Sequence, residues 1–224
     1  MSLDETGEAP GSGLSMQQVQ LALGQMHLDR GDHAAALDWF RTAARAGDAC
    51  GFNMIGRCHD CGWGVPADPA AAARYYLRAA ELGDVWALFN LADLYCCGRG
   101  VARDDGAAYT LYLAAARRGH AKALNMLGLF HEDGRVVAAD PDGALELFRA
   151  AAAGGDCWGS FNSARLHLAR GEEGAALDAF EHALETGFPD FFATMAQALA
   201  DAPDPRFAAL AARAAARAAP GGEA

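Results

Sequence analysis

Cys58, His59 and Cys61 stand together in "CHDCGWG", residues 58–64, and a second cysteine pair occurs at Cys96 and Cys97. Thiolates and imidazoles are the ligands of tetrahedral zinc, and two cysteines three positions apart match the spacing of a zinc knuckle. The same thiols would also suit a redox sensor. Whether they form either kind of site depends on the elements that hold them and on what occupies the equivalent positions elsewhere in the chain.

The chain has 224 residues, 52% of them hydrophobic, which is enough for one or two domains or a short repeat array. Much of the apolar content is alanine, which favours closely packed helices. A formal net charge of -11 argues against a nucleic-acid partner, because phosphate binding needs a basic face. The N-terminal "MSLDETGEAPGSG" is acidic where a secretion signal would be basic, and no apolar core comes after it. No apolar run reaches the length of a membrane span, since Arg213 and Arg217 interrupt the alanine-rich tail. The expected location is therefore the cytosol, with reduced cysteines rather than a disulfide framework.

Repetition organises the rest. Gly47, Gly83, Gly119 and Gly155 recur at intervals of 36 residues, each after an alanine-rich stretch, and Gly187 ends a fifth stretch. Glycine just past a helix accepts the left-handed conformation of a C-terminal cap. Asp68, Asp104 and Asp140 share the same period, and Pro69 and Pro141 come directly after two of them, the signature of a capped helix start. Glycine-rich turns, "GWGV", "GRGV" and "GRVV", precede these caps. A small residue (Gly24, Gly56, Ala92, Gly128 or Ala164) sits mid-way along each first helix and lets neighbouring helices approach. The pattern predicts helix pairs over about 17–48, 49–84, 85–120, 121–156 and 157–188. A degenerate sixth pair over 189–219 would close the array. The expected fold class is all-α: one solenoid of antiparallel helix pairs across residues 15–219, with disordered tails at 1–14 and 220–224.

The third unit, "VWALFNLADLYCCGRGVARDDGAAYTLYLAAARRGH", resembles a Sel-one-like repeat, a relative of the tetratricopeptide repeat. Its leucine, aromatic, "G-x-G-V", aspartate and "AA-x-x-G-H/D" positions carry the resemblance. Units 49–84, 85–120 and 121–156 match well, while the first and fifth have shorter turns and look more like plain tetratricopeptide units. Val136 replaces the second turn glycine, and Ser163 replaces a leucine. The resemblance implies a right-handed superhelix of helix pairs and a role in scaffolding protein assemblies.

In this register Cys58 shares its position with Met26, Leu94, Phe130 and Leu166, a core column where cysteine acts as a small hydrophobe. His59 shares its position with His27, Tyr95, His131 and His167, a column explained by packing within each unit. Cys61 and Cys97 are one unit apart, on the order of 10 Å by helix-packing distances, whereas zinc needs its sulfurs within about 4 Å. No metal ligand set and no cofactor are expected. No serine, cysteine, histidine and acid set stands outside the repeat columns, and the turn glycines join helix to helix, so no catalytic residues are expected either.

Function is expected on the concave face lined by the first helices, at the second, fifth, sixth and ninth positions of each unit. The candidate partner-binding residues are Asn53, Arg57, Trp86, Phe89, Asn90, Asp93, Trp158, Phe161, Asn162 and Arg165. The second position holds Gln18, Cys50, Trp86, Lys122 and Trp158, and exposed tryptophan is a typical interface anchor. Trp86 and Trp158 either anchor a partner segment or fold between units to complete the core. Phe89 and Phe161 are expected to pack between helices. Trp39 is placed in a core column with Tyr75, Leu111 and Phe148, and Trp63 in a turn. "RFAALAARAAARA" is expected to cap the array with Phe207 and Leu210 inward and Arg206, Arg213 and Arg217 outward, or to dock on another chain. The expected function is a non-catalytic scaffold or adaptor that binds a protein or peptide partner. The alternative is a thiol-based zinc-binding or redox-sensing regulator using Cys58, Cys61, Cys96 and Cys97.

Overall fold

The computed structural model of the chain describes residues 14–202 and 204–218. Among the described residues there are twelve helices and no strand. They are α1 (Met16–Asp29), α2 (His33–Arg45), α3 (Ala49–Cys61), α4 (Pro69–Glu81), α5 (Val85–Cys97) and α6 (Asp105–Ala116). They continue as α7 (Ala121–Asp133), α8 (Pro141–Ala153), α9 (Cys157–Ala169), α10 (Glu173–Thr186), α11 (Pro189–Leu199) and α12 (Pro205–Ala218). Two compact units divide the chain, one ending at Ala87 and the other beginning at Leu88. In the first, α1 pairs with α2 and α3 with α4, and α2 packs on α3. In the second, α7 pairs with α8, α9 with α10 and α11 with α12, while α6 packs on α7 and α8 on α9. The tails expected at 1–14 and 220–224 fall, apart from Leu14, outside the described residues.

Aspartates start these helices. Asp32, Asp48, Asp68, Asp84, Asp104, Asp140 and Asp156 each accept a backbone N–H three residues on, at 2.7 to 3.3 Å. Each such contact satisfies a donor that the first helical turn leaves open. His120 replaces aspartate in this series and caps α7 through Nδ1 at 3.3 Å. In the longer turns Gly64 and Gly100 have φ near +70°, and Val136 in the same position keeps φ at +68°. The turn geometry therefore persists at a residue that pays about 1–2 kcal/mol for the left-handed region.

The small mid-helix residues lie under aromatic rings of the paired second helix. A Cβ on Gly24 would meet the Phe40 ring at 2.3 Å, one on Gly56 the Tyr76 ring at 2.5 Å, and one on Gly128 the Phe148 ring at 2.5 Å. Phe40, Tyr76, Tyr112, Phe148 and Phe180 form the buried aromatic column of the second helices. This corrects the sequence register by one residue. Phe148 belongs with Phe40, whereas Trp39, Tyr75 and Leu111 stand one position earlier and are half-buried. Both tryptophan and phenylalanine suit a core, so residue type alone did not fix the phase.

In the second unit, Phe180, Phe191, Met195, Phe207 and Leu210 form one apolar cluster with α12 packed on α10. The arginines of α12 lie on its outer side: Arg206 pairs with Glu173 and Arg213 with Glu181, each at 2.7 Å, and Arg217 donates to the Leu184 carbonyl. Phe207 and Leu210 are thus buried in the cluster with Phe180 and Phe191.

Candidate functional site

Within the first unit the Cys58 and Cys61 thiols have different surroundings. Cys58 is fully buried in the core of the first unit with Phe40, Met54 and Ile55, while Cys61, one helical turn on, is exposed. Burial pushes the Cys58 thiol up to about 11, with Arg57 opposing weakly, so its thiolate is disfavoured at neutral pH. His59 stacks on Tyr75 at 5.3 Å, and burial lowers its pKa below the usual imidazole value. Cys96 accepts from Arg135 Nη2 at 3.5 Å, and Arg135 also pairs with Asp105 at 2.9 Å. Among the described residues no group of three or more His, Cys, Asp or Glu side chains is placed to hold a metal ion.

The histidines of this column instead contact a neighbouring second helix or the residue that starts it. His27 Nδ1 lies 3.3 Å from Asp32 Oδ2, and His131 Nε2 lies 3.3 Å from the Tyr109 hydroxyl. His167 Nδ1 lies 2.5 Å from Glu172 Oε2. Three different partners at one repeat position mark a structural role.

The first-helix positions separate into exposed and interior ones. Trp86 is 53% exposed, the largest exposed aromatic among the described residues. Phe89, one turn on, stacks on His120 at 4.7 Å and lies against Tyr112 at 5.7 Å, so it packs between helices. Asn90 is half-buried, and Asp93 accepts the Tyr112 hydroxyl at 2.5 Å. Arg57 lies over the Trp63 ring at 5.2 Å and reaches Met54 Sδ at 3.7 Å.

Several positions expected on the surface lie inside. Asn53, Met54 and Asn125 are buried, and buried Asn162 donates to Asn125 Oδ1 at 2.9 Å. The bond gives a partner to one donor and one acceptor of the buried amides. Trp158 is half-buried, edge-on to Phe191 at 4.9 Å and to Phe161 at 5.9 Å. Phe161 in turn meets Phe180 and Phe191. Arg165 is held by both oxygens of Glu132, at 2.7 and 2.5 Å. These contacts bring Trp158 and Phe161 into one aromatic cluster and tie Arg165 to α7. They leave Trp86 as the exposed aromatic of the candidate set.

The Sel1 repeat pattern matches residues 18–48, 53–84, 87–120 and 121–156, more than half of the sequence. The chain belongs to the Sel1 repeat family. Its fold is similar to that of a Sel1 repeat protein from Oxalobacter formigenes, with TM-score 0.74, 25% identity, and 88% of each chain covered. It is also similar to c5321, a protective antigen of uropathogenic Escherichia coli strains displaying an SLR fold, with TM-score 0.68 and 26% identity. That likeness covers 89% of this chain and 46% of the antigen. The immunity protein Pa5087 from Pseudomonas aeruginosa shares the fold at 16% identity, with TM-score 0.61 over 83% of this chain and 73% of that one. No curated protein sequence matches. The family pattern ends at residue 156, so the fifth helix pair, α9 and α10, lies outside it. Among the described residues no helix is long and apolar enough to cross a membrane.

Proposed function

We propose that this Sel1 repeat protein is a cytoplasmic, non-catalytic interaction module that holds a peptide or protein segment against its first helices. The exposure of Trp86 carries the reading. Trp86 leaves 53% of its surface in water, and exposed rings of this size are enriched where proteins meet. Trp86 lies in the first turn of α5, one of the first helices, and supplies the apolar anchor. The net charge of -11 suits a partner with basic residues near its anchor and disfavours nucleic acid. Affinity measured against a cognate peptide tests this directly. Trp86→Ala should cost roughly 2 kcal/mol of binding and leave the melting temperature nearly unchanged; equal affinity in the variant refutes the reading.

A further inference from the structure

The groove between the second helix of one repeat and both helices of the next occurs in two versions. Between α2, α3 and α4 it has a volume of about 550 Å³ and is lined by Phe52, Ile55 and Tyr75, with Arg41 and Asp38 at its edge. Between α8, α9 and α10 the equivalent space measures about 330 Å³, and its wall is polar. Three repeat positions have changed together. Ser160 stands where Phe52, Leu88 and Leu124 stand in other repeats, and Ser163 where Ile55, Leu91 and Leu127 stand. Ala179 replaces the large side chain of Trp39, Tyr75, Leu111 and Leu147. Ile55, Leu91 and Leu127 are buried, so a serine at that position costs stability through lost apolar burial and a desolvated hydroxyl. A repeat that only had to stack would gain nothing from all three.

The polar groups that replace the lost side chains are held in defined orientations. Ser160, 1% exposed, lies 2.8 Å from His182 Nδ1. His167, 3% exposed, sits between Glu172 Oε2 at 2.5 Å and Arg149 Nη2 at 3.2 Å. The carboxylate accepts, so Nδ1 carries the proton, and Nε2 offers its lone pair to the Arg149 N–H. Glu172 occupies the capping position of Asp32, Asp68, Asp104 and Asp140 but makes no side-chain cap. The helix start gives up its cap, and the longer side chain holds the histidine instead. Ser163, 3% exposed, lines the cavity without a hydrogen bond to any described residue, and Arg149 makes no ion pair among them.

We infer that this cavity is a binding site for a carboxylate. Arg149, steadied by His167, pairs with the carboxylate oxygens, and the Ser163 hydroxyl donates to one of them. Arginine presents a planar pair of donors that matches a carboxylate. A dianion is disfavoured, because Asp178 lines the same cavity and Glu172 stands behind His167. The carboxylate can come from an acidic side chain on a peptide or from a free small carboxylic acid. The site does not depend on the Trp86 face.

The test tracks the ring resonances of His167 and His182 by NMR in the full chain. The probes are propionate for the free acid, acetyl-Gly-Glu-Gly-amide for the peptide-borne one, and inorganic phosphate as the dianion. Saturable shifts of both rings are expected, with a Kd around the millimolar scale. Tighter binding of the peptide, or of propionate, supports the site and identifies the source. Arg149→Gln, a substitution on an exposed side chain, should weaken binding at least tenfold, as should Ser163→Leu, which restores the apolar residue of the other repeats. Trp86→Ala should have no effect. Absence of saturable shifts with both carboxylates overturns the inference. So does unchanged affinity in Arg149→Gln, or tighter binding of phosphate than of either carboxylate.

Discussion

Trp86 and Trp158 occupy the same repeat position in helices of the same kind, yet one is 53% exposed and the other lies edge-on to Phe191 at 4.9 Å. The difference comes from the helices that come after each in the chain. Trp158 lies in α9, and beyond the pair of α9 and α10 comes α11, which brings Phe191 and Phe192 into the aromatic cluster around it. An unchanged residue at an unchanged repeat position is therefore half-buried at one site and exposed at the other. In a repeat protein, the slot fixes direction along the helix, and the covering neighbour fixes burial.

The strongest way to break this contrast is to remove the cover. Ending the chain at Phe188 deletes α11 and α12 and strips the apolar cluster of Phe191, Met195, Phe207 and Leu210. At about 1.5–3 kcal/mol for each buried side chain, the loss should exceed roughly 4 kcal/mol. The shortened chain should self-associate, and its tryptophan emission should shift to the red as Trp158 meets water. Unaltered melting and sedimentation would contradict the role of α12 as a cap.

Single substitutions sharpen the comparison. Trp158→Ala should destabilise the chain by roughly 3 kcal/mol through the hole it leaves beside Phe191, whereas Trp86→Ala should stay within about 0.5 kcal/mol. Thermal or urea unfolding distinguishes the two, and equal losses would mean that both tryptophans are core. The neighbouring amide pair gives a smaller effect. Asn125→Leu leaves the Asn162 amide buried without its acceptor, at about 2 kcal/mol, and the double Asn-to-Leu variant should recover part of that. A double variant less stable than either single one would show that the pair is not isolated as placed.

The same slot offers a third occupant. Cys50 is half-buried, and burial first, then Asp84 and Asp48, push its thiol up to about 11. At pH 8 its alkylation should run about two orders of magnitude slower than that of a cysteine in a short unstructured peptide, and it should accelerate as pH rises toward that value. Mass spectrometry of an iodoacetamide time course reads this out. A rate at Cys50 equal to that of the peptide thiol would put the slot in water there.

Local chemistry was the legible part of the fold. The capping aspartates Asp68, Asp104 and Asp140 and the close-approach residues Gly24, Gly56 and Gly128 act within one helix pair, so spacing alone exposes them. The paired helices 189–199 and 205–218 were legible for the same reason, through "APDP" and the arginine-rich face. Burial of the fifth and sixth positions was not. Asn53, Asn125 and Asn162 are polar side chains inside the protein, and Asn125 and Asn162 are joined there by a hydrogen bond that spacing does not reveal. The polar cavity gave one sequence signal, Ser163 in a leucine position, but Ser160 and Ala179 gain meaning only when three helices bring them together.

The central claim is that Trp86 anchors a partner segment, and a peptide library displayed on phage and selected against the full chain tests it most directly. The account predicts enriched peptides sharing an apolar anchor, each binding Trp86→Ala at least tenfold more weakly in solution while that variant melts like the wild type. Enriched peptides that bind Trp86→Ala as tightly as the wild type, or no enrichment at all, would contradict it.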